Sequence, residues 1–243
     1  MRYTHLFWDL DHTLWDFERN SRLTLEVLYR EARCADRLDG LEFDSFFLVY
    51  KRYNEWAWDR YRHGLMTKDE LRQTRFRKTF KHFGLDDRTL SRWFEAEYVL
   101  GSPHQPHLMP GAKELLEDLQ GKFSMWIITN GFSEVQAVKM RASGLEPYFE
   151  GMITSEAAGV RKPDPHIFNY AFRKSGAIPS QSLMIGDNWD ADIQGAAGVD
   201  MDQVFYAPLE GADPAEGPHL DQVRPTYSIS HLDELRDILF PAQ

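Results

Sequence analysis

The chain has 243 residues, a formal net charge of −10 and a pI near 5.4. It is long enough for a sizeable core and carries no broad cationic face for a nucleic-acid polymer or an anionic membrane surface. With 42% hydrophobic and 27% charged residues, it has the composition of a folded globular protein, and its single cysteine, Cys34, excludes an internal disulfide and a cysteine-rich zinc site.

Cys34 is expected as apolar filler in a protein of a reducing compartment. The chain enters an apolar strand over 3–8 without a signal-peptide apolar region, and no apolar run reaches the roughly 18 residues of a spanning helix. A cytoplasmic protein without membrane contact is the expectation.

That first strand stops at Asp9-Leu10-Asp11-His12-Thr13-Leu14. Side chains alternate along a strand, so Asp9 and Asp11 begin on one side of the backbone. At about 4 Å and an effective dielectric near 20, two such carboxylates repel by roughly 4 kcal/mol, so a cation is expected beside them. A turn acid at Asp9 and a helix cap at Asp11 would present the same residues for structural reasons alone.

Helices are predicted over 18–33, 43–62, 67–83 and 88–100. Leu23, Val27, Leu28 and Ala32 recur at helical spacing in the first; Thr67-Lys68-Asp69-Glu70 opens the third as a capping box, with Gly84 beyond its end. No strand pattern interrupts this block, which is read as an all-helical insertion. Gly101 to Pro110, with Pro103, Pro106 and Pro110, reads as the returning connector, and Pro110 suits the first turn of the next helix. His104 and His107 within it have no partner at metal-ligand spacing and are read as exposed loop residues. The expected domains are a core of residues 1–16 and 102–243 and a helical domain of residues 17–101.

Beyond residue 110 the pattern alternates: helix 111–120, strand 123–129, helix 133–143, strand 152–154, helix 165–175, strand 183–186, helix 190–197, strand 203–206 and helix 231–239. Short strands alternating with helices predict an α/β fold, a doubly wound parallel-sheet, Rossmann-like core. The Pro-, Gly- and Asp-rich stretch 208–225 is expected as a surface loop.

In such a sheet, functional residues gather at the carboxyl ends of strands. One strand ends in Thr129-Asn130-Gly131, a hydroxyl, an amide and a helix N-terminus that suit an anion as well as they suit a plain capping turn. The strand over 152–154 leads to Arg161-Lys162-Pro163-Asp164-Pro165, where two prolines stiffen the chain behind Lys162, the candidate for the missing cation. A third ends in Gly186-Asp187-Asn188-Trp189-Asp190-Ala191-Asp192, with Asp190 a plain helix-start carboxylate. No Gly-x-Ser-x-Gly elbow, His-Glu-x-x-His or Gly-Lys-Ser/Thr phosphate loop offers a competing site.

Asp9-x-Asp11-x-Thr13, Thr129-Asn130, Lys162 and Asp187 with Asp192, in this order and each at a strand end, resemble the four motifs of the haloacid dehalogenase superfamily of aspartate-dependent phosphohydrolases. The likeness spans essentially the whole chain, with the helical block in the place of that superfamily's cap. It implies Asp9 as the nucleophile that forms an aspartyl-phosphate and Asp11 as the general acid and base. It further implies Mg2+ held by Asp9, the Asp11 carbonyl and Asp187, with Asp192 acting from outside the ligand set. Thr129 and Asn130 would hold phosphate oxygens, and Lys162 would neutralise charge shared by phosphate and nucleophile. An acid at position 11 favours phosphoryl transfer over dehalogenation, and His12, at a variable position of the motif, is read as non-catalytic.

Ile127-Ile128-Thr129-Asn130-Gly131-Phe132-Ser133, Arg161 to Pro165 and the size of the helical block are similar to the bacterial pyrimidine 5'-nucleotidases that remove noncanonical nucleoside monophosphates. That similarity implies a small-molecule phosphate ester such as dUMP, UMP or dTMP as substrate. Aromatics between Tyr53 and Tyr61 would either stack a base, at about 1–3 kcal/mol each, or fill the helical core; the core reading is preferred, with Trp56 or Trp58 reaching the site. A small sugar-phosphate or glycolate-like phosphatase or phosphomutase, and a non-catalytic phospho-ligand binding protein, remain alternatives on the same core.

Overall fold

The structure, a computed structural model, describes residues 2–35, 37–38, 40–208 and 224–240. The chain divides into two compact units, Met1–Phe17 with Pro106–Gln243, and Glu18–Gln105.

Among the described residues, the first unit is built on six strands: β1 (His5–Trp8), β2 (Ser124–Thr129), β3 (Gly151–Thr154), β4 (Ser182–Gly186), β5 (Asp202–Tyr206) and β6 (Tyr227–Ile229). All pairings are parallel and the spatial order is β3-β2-β1-β4-β5-β6. The chain moves outward from β1 to β3, returns to the other side of β1 and moves outward again to β6. This reversal is the doubly wound arrangement, and it opens a crevice at the carboxyl end of β1. Trp8 pairs with Ile127 on one side and Ile185 on the other, so Asp9 emerges level with the ends of β2 and β4.

Both faces of the sheet are covered, which is why its strands read as near-continuous apolar runs. Leu6, Trp8, Ile127, Ile185 and Val204 pack with Leu115, Leu116 and Leu235, whereas Phe7, Ile128 and Met184 pack with Ile167, Phe168 and Phe172. Alternate residues of each strand thus enter opposite layers. β6 is an addition to the predicted strands; residues 209–223 of the predicted surface loop lie outside the described residues. The predicted helix over 190–197 is a π-helical turn (Trp189–Gln194) followed by one short α-turn (Gly195–Ala197), and that over 231–239 begins as a 3-10 turn before the α-helix Leu235–Leu239. Pro110 precedes the next helix, Ala112–Leu119, instead of entering its first turn, because Gly111 takes φ 76° between them.

The second unit consists of α1 (Phe17–Cys34, whose first residue belongs to the first unit), α2 (Phe43–Arg62), α3 (Lys68–His82) and α4 (Arg88–Gly101). Thr67 and Glu70 close the expected capping box on α3. The buried stripe of α1 is Leu25, Leu28, Tyr29 and Ala32, which takes in the predicted Leu28 and Ala32 but not Leu23 or Val27. Cys34 falls off that stripe and is exposed, so it is no apolar filler. Phe46, Tyr50, Phe76, Phe80, Phe94 and Tyr98 form the aromatic core. Between Tyr53 and Tyr61, only Asn54, Ala57 and Tyr61 are buried, so Tyr53, Trp56 and Trp58 are not core residues. No helix among the described residues is long and apolar enough to cross a membrane.

Candidate active site

Asp9 leaves β1 with its amide still donating to Ile185 O at 2.9 Å, and the chain then turns sharply. Trp15 N donates to Leu10 O at 2.8 Å, His12 N donates to Trp15 O at 3.0 Å, and His12 takes the left-handed φ of 65°. The turn separates the two acids that strand periodicity would leave side by side. In place of one shared cation, each has its own lysine.

Lys162, 1% exposed, donates to Asp9 Oδ1 at 2.6 Å, Asp192 Oδ1 at 2.6 Å and Ile128 O at 2.7 Å. All three ammonium hydrogens therefore have acceptors. Burial alone would depress this ammonium; Asp192 and Asp9 outweigh burial and hold it above its ordinary range. Its backbone is clamped by Asn130: Lys162 N donates to Asn130 Oδ1 at 2.8 Å, and Asn130 Nδ2 donates to Lys162 O at 2.9 Å. The Asn130 side chain, expected on phosphate, is thus engaged in fixing Lys162.

Asp11 turns to the helix Ser133–Ala142, where Lys139 Nζ donates to Oδ1 at 2.5 Å and Gln136 Nε2 to Oδ2 at 2.9 Å. Burial pushes its carboxyl up, but Lys139 and Gln136 hold it below the ordinary range. Neither Lys139 nor Gln136 was singled out from sequence. The available signal was their i, i+3 spacing with Met140 on one helix face, where a polar pair interrupts an expected apolar stripe.

Thr129 ends β2 and is buried. Its Oγ1 accepts from Gly131 N at 3.0 Å and Gln136 Nε2 at 2.8 Å, which fills both acceptor positions and leaves the O–H to donate.

Asp187, just past β4, accepts from Thr13 Oγ1 at 3.1 Å, a role for Thr13 beyond the motif itself. Asp192 is fully buried and its second oxygen accepts from Asn188 N at 3.1 Å. Gly186 makes room for it, since a Cβ there would lie 2.2 Å from Asp192 Oδ2. Asp9, Asp187 and Asp192 each bring one oxygen within 4.8 Å of the others. Burial pushes the Asp9 carboxyl up to about 7 against the pull of Lys162, with Asp192 and Asp11 adding to the rise. Burial likewise pushes Asp187 up to about 6, opposed by His12.

The second oxygens of Asp9 and Asp187 lie outside the bonds just described, whereas Asp192 uses both of its own. Two hard carboxylates with free oxygens, crowded together and buried, suit a divalent cation such as Mg2+. The arrangement offers a charge-neutralised carboxylate nucleophile, a second ionised acid two residues away and an oriented hydroxyl donor.

The family model for haloacid dehalogenase-like hydrolases matches residues 3–200. The HAD-hydrolase YfnB of Bacillus subtilis is 34% identical over 98% of this chain and 96% of its own. Its crystal structure bound to magnesium superposes with a TM-score of 0.84, covering 99% of this chain and 100% of that one at 32% identity. Pyrimidine 5'-nucleotidase PynA of Streptococcus pneumoniae is 30% identical over 98% of this chain and 96% of its own. Pyrimidine 5'-nucleotidase YjjG of Escherichia coli is 30% identical over 98% and 99%. Nearly full-length similarity, the parallel sheet and the acids at its strand ends lead to one conclusion: the chain is an enzyme of the haloacid dehalogenase-like hydrolase family.

Proposed function

We propose that the chain is a Mg2+-dependent phosphomonoester hydrolase that works through an aspartyl-phosphate, with pyrimidine nucleoside 5'-monophosphates as substrates. The observation that carries the chemistry is Asp9 itself, a buried carboxylate with Oδ1 on Lys162 and its other oxygen open. Two relatives named pyrimidine 5'-nucleotidase support the substrate class. In this reading residues 1–16 and 102–243 are the phosphatase core and residues 17–101 the cap domain. The exposed thiol of Cys34 is compatible with a cytoplasmic setting.

The free oxygen of Asp9 attacks phosphorus, and the bond from phosphorus to the ester oxygen breaks. Asp11, entering the cycle protonated, supplies the proton that the departing alcohol takes up. It then accepts a proton from the water that splits the mixed anhydride, which releases phosphate and restores Asp9. Thr129 donates to a phosphoryl oxygen, and Lys162 offsets charge on Asp9 and the transferring group. Asn130 acts by holding the backbone of Lys162. Asp9, Asp187 and the Asp11 carbonyl would hold Mg2+, which when bound reduces the repulsion between carboxylate and phosphate. Asp192 supports Lys162 from outside that ligand set.

Phosphate release from a panel of nucleoside monophosphates and sugar phosphates, with Mg2+ or chelator, tests this reading. Release from pyrimidine monophosphates that disappears with chelator and in Asp9→Asn is expected. Release from sugar phosphates alone would overturn the substrate assignment, and no release from any ester would overturn the activity.

A further inference from the structure

Lys139 is a buried cation outside the four motifs. It is 4% exposed, its ammonium stands 4.2 Å from the centre of the Trp15 ring and 5.6 Å from that of Phe17, and it meets Asp11 Oδ1 at 2.5 Å. Gln136, one helical turn earlier, takes the other oxygen of the same carboxylate. Asp11 is therefore gripped at both oxygens from a single helix face.

Gln136 also reaches further. A carboxylate only accepts, so the atom facing Asp11 is the amide nitrogen, and that nitrogen is also 2.8 Å from Thr129 Oγ1. With Gly131 N on the same oxygen, the Thr129 hydrogen is left to donate outside these two bonds. Space for this bridge depends on Gly131, where a Cβ would lie 2.1 Å from Gln136 Nε2. One amide thus ties the end of β2 to the acid that follows β1.

We infer that Gln136 and Lys139 are a positioning pair. Together they aim the Asp11 carboxyl, which enters the first step protonated, toward the leaving-group oxygen, and Gln136 sets the Thr129 hydroxyl as a donor to the phosphoryl oxygen. The inference rests on the proposed roles of Asp11 and Thr129. Neither residue touches the reacting atoms, so their loss should resemble a misplaced acid rather than a missing nucleophile.

Leaving-group dependence tests the inference. An alkoxide leaving group needs a proton, whereas nitrophenolate leaves without one. The kcat/KM for dTMP, or for whichever alkyl monoester the wild type hydrolyses in the panel, is compared with that for p-nitrophenyl phosphate; kcat/KM reports the first phosphoryl transfer. The variants are Asp11→Asn, Lys139→Met, Lys139→Arg and Gln136→Leu, each checked by thermal unfolding. Lys139→Met should lose about tenfold or more on the alkyl ester and less than about threefold on the nitrophenyl ester, with partial recovery in Lys139→Arg. Gln136→Leu should show the same split and also a raised KM for both esters. Should Lys139→Met fail to fold, Gln136→Leu carries the test through the other oxygen of Asp11. Equal losses on both esters in Lys139→Met and Gln136→Leu, while Asp11→Asn discriminates, would overturn the inference and leave the function standing. Equal losses in Asp11→Asn itself would remove the acid role, and the inference with it.

Discussion

Lys162 Nζ and Asp192 Oδ1 lie 2.6 Å apart with side chains 2% and 0% exposed. Removing one partner of such a pair leaves an uncompensated buried charge. Asp192→Ala should therefore lower unfolding free energy by about 3 kcal/mol or more and displace Lys162 from Asp9. Urea unfolding together with phosphate release measures both; a normal denaturation midpoint with normal turnover would contradict this account of the pair.

Gly186 is required by Asp192 more than by the strand it ends. Its Cβ in Gly186→Ala would meet Asp192 Oδ2 at 2.2 Å and Cγ at 2.4 Å, and neither atom can retreat without breaking the bond to Lys162 or to Asn188 N. Overpacking of this kind costs about 1–3 kcal/mol. Activity should fall more steeply than stability, since the displaced carboxylate is the partner of Lys162. Unfolding curves and kcat measured on one preparation decide it.

Stability should depend on pH and metal in a linked way. Asp9, pushed up to about 7, and Asp187, pushed up to about 6, both start from an ordinary value of 3.8. A carboxyl raised on folding contributes stability that is full below its unfolded pKa and is lost as pH rises through its folded one. This contribution thus declines between about pH 4 and pH 7. Asp11, held below its ordinary value, has the opposite sign, and its contribution is lost only at more acidic pH. Added Mg2+ favours the ionised carboxylates, so it should raise the melting temperature more at pH 7.5 than at pH 5. An equal rise at both pH values would contradict the assignment of these two acids as metal ligands.

In the helical unit, Arg75 forms a two-pronged ion pair with Glu95, Nε to Oε2 at 2.9 Å and a terminal nitrogen to Oε1 at 2.8 Å, and also reaches Asn54 Oδ1 at 3.1 Å. These bonds link α2, α3 and α4 beside an aromatic core. Glu95→Ala strands the buried guanidinium and should destabilise the protein by about 3–5 kcal/mol. Loss of helical circular dichroism at a lower denaturant concentration would register it, and an unchanged midpoint would refute it.

The strand ends were legible because a parallel sheet buried on both faces leaves a one-dimensional signature: apolar runs that stop at Asp9, Thr129 and Asp187. Lys162 was legible because two prolines follow it closely. Gln136 and Lys139 left only a faint mark, a polar pair beside Met140 in a helix stripe, and helical spacing alone does not tell whether such a face meets solvent or another strand end. The part of Asn130 was obscured for a related reason, as its partner lies 32 residues away in a loop. β6 has three residues and little apolar run to detect. The π-turn at Trp189–Gln194 depends on Asp192 folding back to Asn188 and Lys162, a tertiary demand that helical periodicity does not encode.

The proposed reaction requires Asp9 to become covalently phosphorylated. Acid quench during turnover, borohydride reduction and peptide mapping test it directly, because reduction converts an aspartyl-phosphate to homoserine. Homoserine is expected at position 9, formed only with substrate present and absent from Asp9→Asn. Steady phosphate release with no homoserine at position 9, or with a reduced residue at another carboxylate position, would rule out Asp9 as the nucleophile.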